Sequence, residues 1–318
     1  KGPLDEVVSI SSEQELVSTF GKPNNSNFED FFSASNFLQY SNALRVVRVQ
    51  NSSVSNATES GSAFVIKNTT DYTNNYATGQ ASVGLWAART AGVHGNSLQI
   101  STCPSATAYE EVNKTTVADA AMAVGDTVVT VTSSTGISAG DIVNFGDQFE
   151  YRVVSVATND LNIVRKEEPA YYGTSESSGL HEAPTNGAQV RRRWKYYDLF
   201  NKAPGTSPFA QAKSGVNDEL HIAVIDEDGE ITGTKGDVLE TFEAVSKASD
   251  AKDAQGNVNY YPDVIYKSSN YIYWMDHNSG GSNWGSAASG TTYTDVTAVS
   301  NVSLQAGSDG TTATTGQR

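Results

Sequence analysis

The hydrophobic and polar pattern is most regular near the start of the chain. Val7 to Ile10 is a short run rich in β-branched residues, which predicts a strand. Ser12 lies three residues before Glu15, the spacing of a capping box, and predicts the start of a helix that ends at Gly21. A short strand followed at once by a capped helix indicates a compact α/β unit.

A second helix is predicted to begin after Asn27. Apolar residues then recur at spacings of three and four, a stripe that indicates one buried helix face. Residues 43–49, ALRVVRV, predict another strand, and the two strands should be parallel if the crossover is right-handed. The stripe consists of Phe28, Phe31, Phe32, Ser35 and Leu38.

The pattern changes after about Lys114. Short alternating segments, separated by Gly, Asp and Asn turns, recur about every ten residues and predict a small all-β barrel or sandwich. We therefore predict an inserted outer domain at 116–190, with a loop over 167–189. Residues 1–115 and 191–318 would form one discontinuous α/β core domain. The fold class is α+β, an α/β-like layered sheet with flanking helices that carries the β insertion.

Further elements are predicted on both sides of the insertion. Short helices are expected at 83–91 and 238–245. Strands are expected at 63–66, 98–102, 218–225 and 269–274.

Composition narrows the classes of function. The chain has 318 residues and a net charge of −15, with 36 acidic against 21 basic side chains. Binding to nucleic acid needs clustered Lys and Arg, so we expect no nucleic-acid partner. The basic run Arg191 to Arg193 is interpreted as a solvated strand edge or linker. No apolar run approaches the roughly 20 residues of a membrane helix, so no membrane insertion is expected.

No residue pattern indicates catalysis, so we predict no enzyme, no cofactor and no catalytic, cofactor-binding or metal-binding residues. Cys103 is the only cysteine and is interpreted as a buried apolar residue. Asp226 to Gly229 resembles part of a calcium loop, but the register fails and a hairpin turn is favoured. The acidic pairs Glu110-Glu111 and Glu167-Glu168 are interpreted as solvated loop residues. The histidines have no zinc spacing and are expected at the surface or in local hydrogen bonds: His94, His181, His221 and His277.

The chain resembles the tail sheath proteins of contractile, myovirus-type phages. The resemblance begins with residues 2–8, GPLDEVV, and continues through SSEQELVSTFGKP at 11–23 and FFSASNFLQYSNALRVVRV at 31–49. Later segments that are similar to the family are 86–98 with its Gly-x-x-Gly-Asn turn, 221–246, 268–272, and LQAGSDG at 304–310, in which Ala306 replaces a glycine. Residues 116–190 carry no motif of the family.

The resemblance implies a structural, motor-like role in the virion. Sheath subunits of this family, assembled in the host cytoplasm, stack on a helical lattice around a tube. When a baseplate triggers them, they contract and drive the tube through the host envelope. Neighbouring sheath subunits, the tube and baseplate proteins are therefore the expected partners, and no nucleotide hydrolysis is expected. In the family, an N-terminal arm and a tube-proximal C-terminal domain flank the matched region, so we expect an outer-domain fragment that is monomeric by itself.

Two alternatives remain at this point. The chain could be the sheath of a bacterial tailocin or of a type VI-like secretion system. From a different class, it could be a carbohydrate-binding or receptor-binding adhesin module, because its 15 Tyr and 4 Trp could form stacking platforms.

Overall fold

The computed structural model describes residues 1–25, 27–49, 53–166 and 179–310. The helices are α1 (Glu13–Phe20), α2 (Phe28–Leu38), α3 (Thr69–Asn75), α4 (Ala106–Tyr109), α5 (Pro208–Ala212) and α6 (Tyr261–Ser268). The first eight strands are β1 (Val7–Ile10), β2 (Leu44–Val47), β3 (Val54–Ser55), β4 (Trp86–Ala88), β5 (Leu98–Cys103), β6 (Glu110–Thr116), β7 (Val128–Thr130) and β8 (Ile142–Asn144). The others are β9 (Tyr151–Ala157), β10 (Asp160–Arg165), β11 (Gln189–Arg193), β12 (Glu219–Asp226), β13 (Asp237–Ser246), β14 (Ile272–Trp274), β15 (Ser300–Ser303) and β16 (Ser308–Asp309).

The first 49 residues form a small unit that we call the N-terminal module. Its helices α1 and α2 cover one face of the two-stranded sheet β1-β2. The Ser12 hydroxyl accepts from the Glu15 amide at 3.2 Å, and the Glu15 carboxylate accepts from the Ser11 amide at 2.7 Å, so the predicted helix start is confirmed. The module has its own apolar core, built around Ile10, Leu16 and Phe31.

The prediction that β1 and β2 are parallel is wrong. They pair in antiparallel register, with Val7 opposite Val47 and Ile10 opposite Leu44. The reason is the number of helices between them. A single helix between two strands carries the chain back to the end of the sheet where the first strand began, so the two strands are parallel. Two successive helices carry the chain back and then forward again, so the second strand starts where the first one ended and runs the other way.

The central sheet has the strand order β13-β12-β5-β15, and all its pairings are antiparallel. Strand β12 is buried at all eight residues. The apolar cluster around this sheet includes Leu98, Ile222, Tyr261 and Trp284, which come from distant parts of the chain. Helices and sheets thus share the core, and the α+β part of the prediction is confirmed.

Two predicted helices are wrong. Residues 238–245 lie in strand β13, because this segment pairs with β12 along its length and the ladder overrides the local helix pattern. In 83–91, a 3₁₀ turn ends at Val83 and strand β4 follows, paired with β14. The predicted strand at 63–66 is reduced to one bridge, between Asn56 and Phe64.

The predicted β-rich segment forms a six-stranded sheet in the order β6-β11-β8-β9-β10-β7, which we call the β module. It has a separate apolar core that includes Val129, Tyr151 and Leu161. The edge strands β6 and β7 are linked beyond their ends by an isolated bridge between Val117 and Val131. This linkage is not a continuous ladder, so the prediction of a barrel is not confirmed.

The interpretation of Arg191 to Arg193 as a solvated edge or linker is wrong, since they lie in β11 between β6 and β8. Arg192 is 2% exposed, and its Nη2 lies 3.2 Å from Glu111 Oε2. Arg193 donates to Glu110 at 3.0 Å. The Glu110-Glu111 pair is therefore used in ion pairs with these arginines, not in solvation. Glu167-Glu168 lies outside the described residues.

The turn between β12 and β13 is organised by Asp226. Its buried carboxylate accepts from the Ser97 hydroxyl at 2.7 Å and from the backbone amides of Gly229, Ile231 and Thr232 at 3.1, 3.0 and 2.7 Å. Burial alone would raise the pKa of Asp226, but these hydrogen bonds lower it below its usual value. The acidic segment is a hairpin turn, as the sequence predicts.

We expect Asp226→Ala to lower the free energy of unfolding by about 2–4 kcal/mol, because it leaves buried donors without an acceptor. The measurement is equilibrium unfolding in urea. Asp228→Ala is the matched control, since Asp228 is exposed in the same turn, and should change stability by less than about 0.5 kcal/mol. Equal losses for both variants would show that the Asp226 carboxylate does not organise the turn.

Candidate assembly surface

Exposed aromatic rings are concentrated in the N-terminal module. Within the described residues, the exposed aromatic side chains are Phe28, Phe32, Phe37 and Tyr40, at 48%, 52%, 46% and 90%. All four lie on α2 or just after it. Large exposed apolar patches mark sites where another molecule packs, so this module carries the strongest candidate for an interaction surface.

The helix stripe explains part of this surface. Phe31 and Ser35 face the module core, as the stripe predicts. Phe28 and Phe32, one turn apart, flank that face and remain exposed, so the prediction that the whole stripe is buried is wrong for these two rings. The periodicity could not reveal this, because a module with two short helices has too little core to cover both edges of the stripe.

The outer face of the sheet β1-β2 also exposes apolar side chains. Val7 and Val47 are opposite one another on the face of β1-β2 that points away from the helices, and they are 60% and 48% exposed. Val49, two residues beyond the end of β2, is 44% exposed. The module thus presents apolar side chains on both its sheet side and its helix side.

The connection between the module and the rest of the chain is specific. Leu4 is fully buried, bridges to Arg48 and donates its amide to the Lys67 carbonyl at 2.7 Å. The Arg48 guanidinium donates to the Ala91 carbonyl at 2.7 Å. Burial lowers the pKa of Arg48, and Asp309, whose carboxylate is 4.0 Å away, opposes that shift. These contacts hold the exposed surface in a fixed direction.

Other candidate chemistry is accounted for by local structure. The four tryptophans are buried, at 1–8% exposure, so they offer no stacking platform. Cys103 is fully buried, and burial raises the pKa of its thiol to about 12. Among the described residues, no group of His, Cys, Asp and Glu could hold a metal ion, and no helix is long and apolar enough to span a membrane.

His94, His221 and His277 form local hydrogen bonds through their rings. His221 is buried, and its Nδ1 accepts from the Ala244 amide at 2.9 Å. Its Nε2 is therefore the protonated nitrogen and donates to the Lys202 carbonyl at 2.8 Å. His277 lies 2.6 Å from the Tyr261 hydroxyl, and His94 lies 2.7 Å from that of Thr90.

The N-terminal module is similar to part of a known protein family. Residues 1–49 match the family model described as "Tail sheath protein Gp18 domain III N-terminal region". The tail sheath protein of Salmonella phage ViI is 28% identical over 276 residues, which cover 84% of this chain and 43% of that protein. This chain is related to the tail sheath proteins of contractile-tailed phages.

Two further relatives have the same description. The tail sheath protein of Vibrio phage KVP40 is 38% identical over 72 residues, 23% of this chain and 10% of that protein. The tail sheath protein of Enterobacteria phage T4 is 49% identical over 47 residues, 15% of this chain and 7% of that protein. The chain therefore matches less than half of the length of these sheath proteins.

We expect the exposed and buried rings of α2 to differ sharply in their effect on stability. Phe31→Ala should cost about 3–5 kcal/mol, because it opens a cavity in the module core. Phe28→Ser should change stability by less than about 1 kcal/mol, since the ring is 48% exposed. Denaturant unfolding of both variants is the measurement, and a large loss for Phe28→Ser would mean that its ring belongs to a core.

Proposed function

We propose that this chain is the part of a structural sheath subunit that packs against other proteins of a contractile phage tail. The full subunit would assemble helically around the tail tube, above a baseplate, and its contraction would drive the tube through the host envelope. The observation that carries the proposal is that the exposed aromatic rings lie in the segment that matches a tail sheath domain. Subunits would assemble in the host cytoplasm and act in the virion.

The proposed role needs no catalysis. A sheath would store free energy in the extended arrangement of its subunits and release it when their contacts rearrange. Contacts between identical subunits propagate such a change, because each subunit biases its neighbours through the same surfaces. A rigid module with exposed apolar residues on both layers suits this role, since the contacts can be exchanged without refolding the subunit.

The alternatives are less well supported. The named relatives are phage proteins, which favours a phage tail over a tailocin or a secretion system. An adhesin that stacks on sugars would need exposed Trp or Tyr rings. The four tryptophans are buried, and among the described residues the exposed tyrosine is Tyr40, which lies in the segment that matches the tail sheath model.

We also propose that residues 116–190, which supply most of the β module, are an outer insertion in a discontinuous α+β domain, as the sequence predicts. Support comes from its separate apolar core and from the pairing of Thr116 with Gln189 where the chain enters and leaves it. The bridge between Val117 and Val131 suggests that its sheet curls toward a barrel.

The first test concerns assembly. We expect Phe28→Ser combined with Tyr40→Ser, in the full-length subunit, to lower the yield of sheath polymers about tenfold, because contact area at subunit interfaces is lost. Sedimentation and electron microscopy measure the yield. Val154→Ser is the control, since Val154 is 51% exposed on the β module and its loss should leave assembly unchanged. Normal assembly of the double variant would count against the proposed surface.

The second test concerns the insertion. A two-residue Asn-Gly turn that joins Thr116 directly to Gln189 matches the antiparallel pairing of these residues. We expect the shortened chain to unfold cooperatively, because the central core contains no residue from the deleted segment. Residues 110–193, expressed separately, should also fold. Loss of a cooperative transition in the shortened chain would show that the β module is not an independent insertion.

A further inference from the structure

The sheet side of the N-terminal module has a mixed apolar and basic face. Val7 is opposite Val47, and Ser9 is opposite Arg45. Alternate residues of a strand point to the same side, so these four side chains share the outer face. All four are exposed. We call this set the sheet face.

The helix side has an apolar and acidic face. Phe28 and Phe32 are one turn apart on α2, and Glu29 and Asn36 are two turns apart, so the four side chains line one side of the helix. All four are exposed. We call this set the helix face. It lies on the opposite layer of the module from the sheet face, because the helices cover the inner side of β1-β2.

Among the described residues, the charged side chains of the two faces have no salt-bridge partner. Within the part of the chain that the structure describes, neither the Arg45 guanidinium nor the Glu29 carboxylate makes a salt bridge; the pairs that form involve other residues. Each face therefore combines apolar side chains with one unpaired charge, and the two charges are opposite in sign.

We propose that the sheet face of one copy of this chain packs against the helix face of a second copy, with Arg45 close to Glu29. This inference rests on the proposed function and names the partner of its surface. Apolar side chains would meet apolar side chains, and the two unpaired charges would meet each other. Packing two sheet faces together would bring Arg45 near its own copy, and packing two helix faces together would do the same for Glu29.

The consequence for assembly follows from the two faces being different. A contact between different faces leaves the growing assembly with one unused sheet face and one unused helix face, so further copies can add at both ends until a ring closes. Such a contact builds a ring or an open helix, whereas a contact between identical faces would stop at a dimer. The helical lattice of a sheath requires the first kind.

Cysteine crosslinking tests the contact directly. Ser9→Cys marks the sheet face and Asn36→Cys marks the helix face, and neither change removes an apolar or charged side chain. The native Cys103 is fully buried and should not react. In full-length subunits, with any further cysteine replaced by serine, we expect mixed polymers of the two variants to form crosslinked dimers under oxidation, and either variant alone to form none.

Charge reversal provides the second arm. Arg45→Glu or Glu29→Arg alone should lower the polymer yield about tenfold, because each places like charges together, and the double variant should restore most of it. Asp30→Arg is the matched control. It removes an acidic residue from the same first turn of α2, but its side chain points away from the helix face, so assembly should persist.

The outcomes separate this inference from the proposed function. Crosslinks between identical variants would overturn it in favour of contacts between identical faces. Polymers that form normally but give no crosslink, with no rescue by the double charge reversal, would overturn the contact and leave the sheath role intact. Failure of the unmodified full-length subunit to polymerise under any condition would instead contradict the proposed function.

Discussion

The fully buried strand β12 is the constraint on which the central fold depends. It carries three ionisable side chains, and each must find hydrogen-bond partners because burial removes water from it. Glu219 accepts from the Lys202 ammonium at 3.1 Å and from the Gly205 amide at 3.0 Å. His221 joins the Lys202 carbonyl to the Ala244 amide in β13, and Asp226 holds the turn that leads there. The loops around the strand are thus fixed by its polar residues, while its apolar residues supply the core.

Local sequence signals predicted the elements whose cause is local. The capping box at Ser12 and the alternating strands of the β module are set by neighbours a few residues apart, and both appear in the structure. The helix predicted at 238–245 failed for the opposite reason. Its residues suit a helix, but pairing with β12 over its whole length outweighs a preference of a few tenths of a kcal/mol per residue. Pairing between strands that are distant in sequence cannot be seen in the periodicity of either strand.

The surface was harder to predict than the core. The stripe on α2 correctly places Phe31 inside, but the same spacing includes Phe28 and Phe32, which are exposed. A sequence pattern gives the direction of a side chain on its helix, not whether another element covers it. The arginines of β11 show the converse. A run of charged residues suggests exposure to solvent, but this run lies between two strands, and Glu110 and Glu111 neutralise it. Their partners are about 80 residues away in the chain, which no local pattern records.

The division of the molecule into separate cores explains how an exposed apolar surface can coexist with a stable fold. The N-terminal module, the central sheet and the β module each bury their own cluster, so the exposed rings of the first are not needed to complete the others. If the apolar contact surface were part of the central core, each exchange of a contact would expose core residues to water and destabilise the central sheet. A module joined through Leu4 and Arg48 can instead change partners while its own packing and that of the central sheet persist. Contacts that are exchanged without unfolding are what the proposed rearrangement between two lattice arrangements requires.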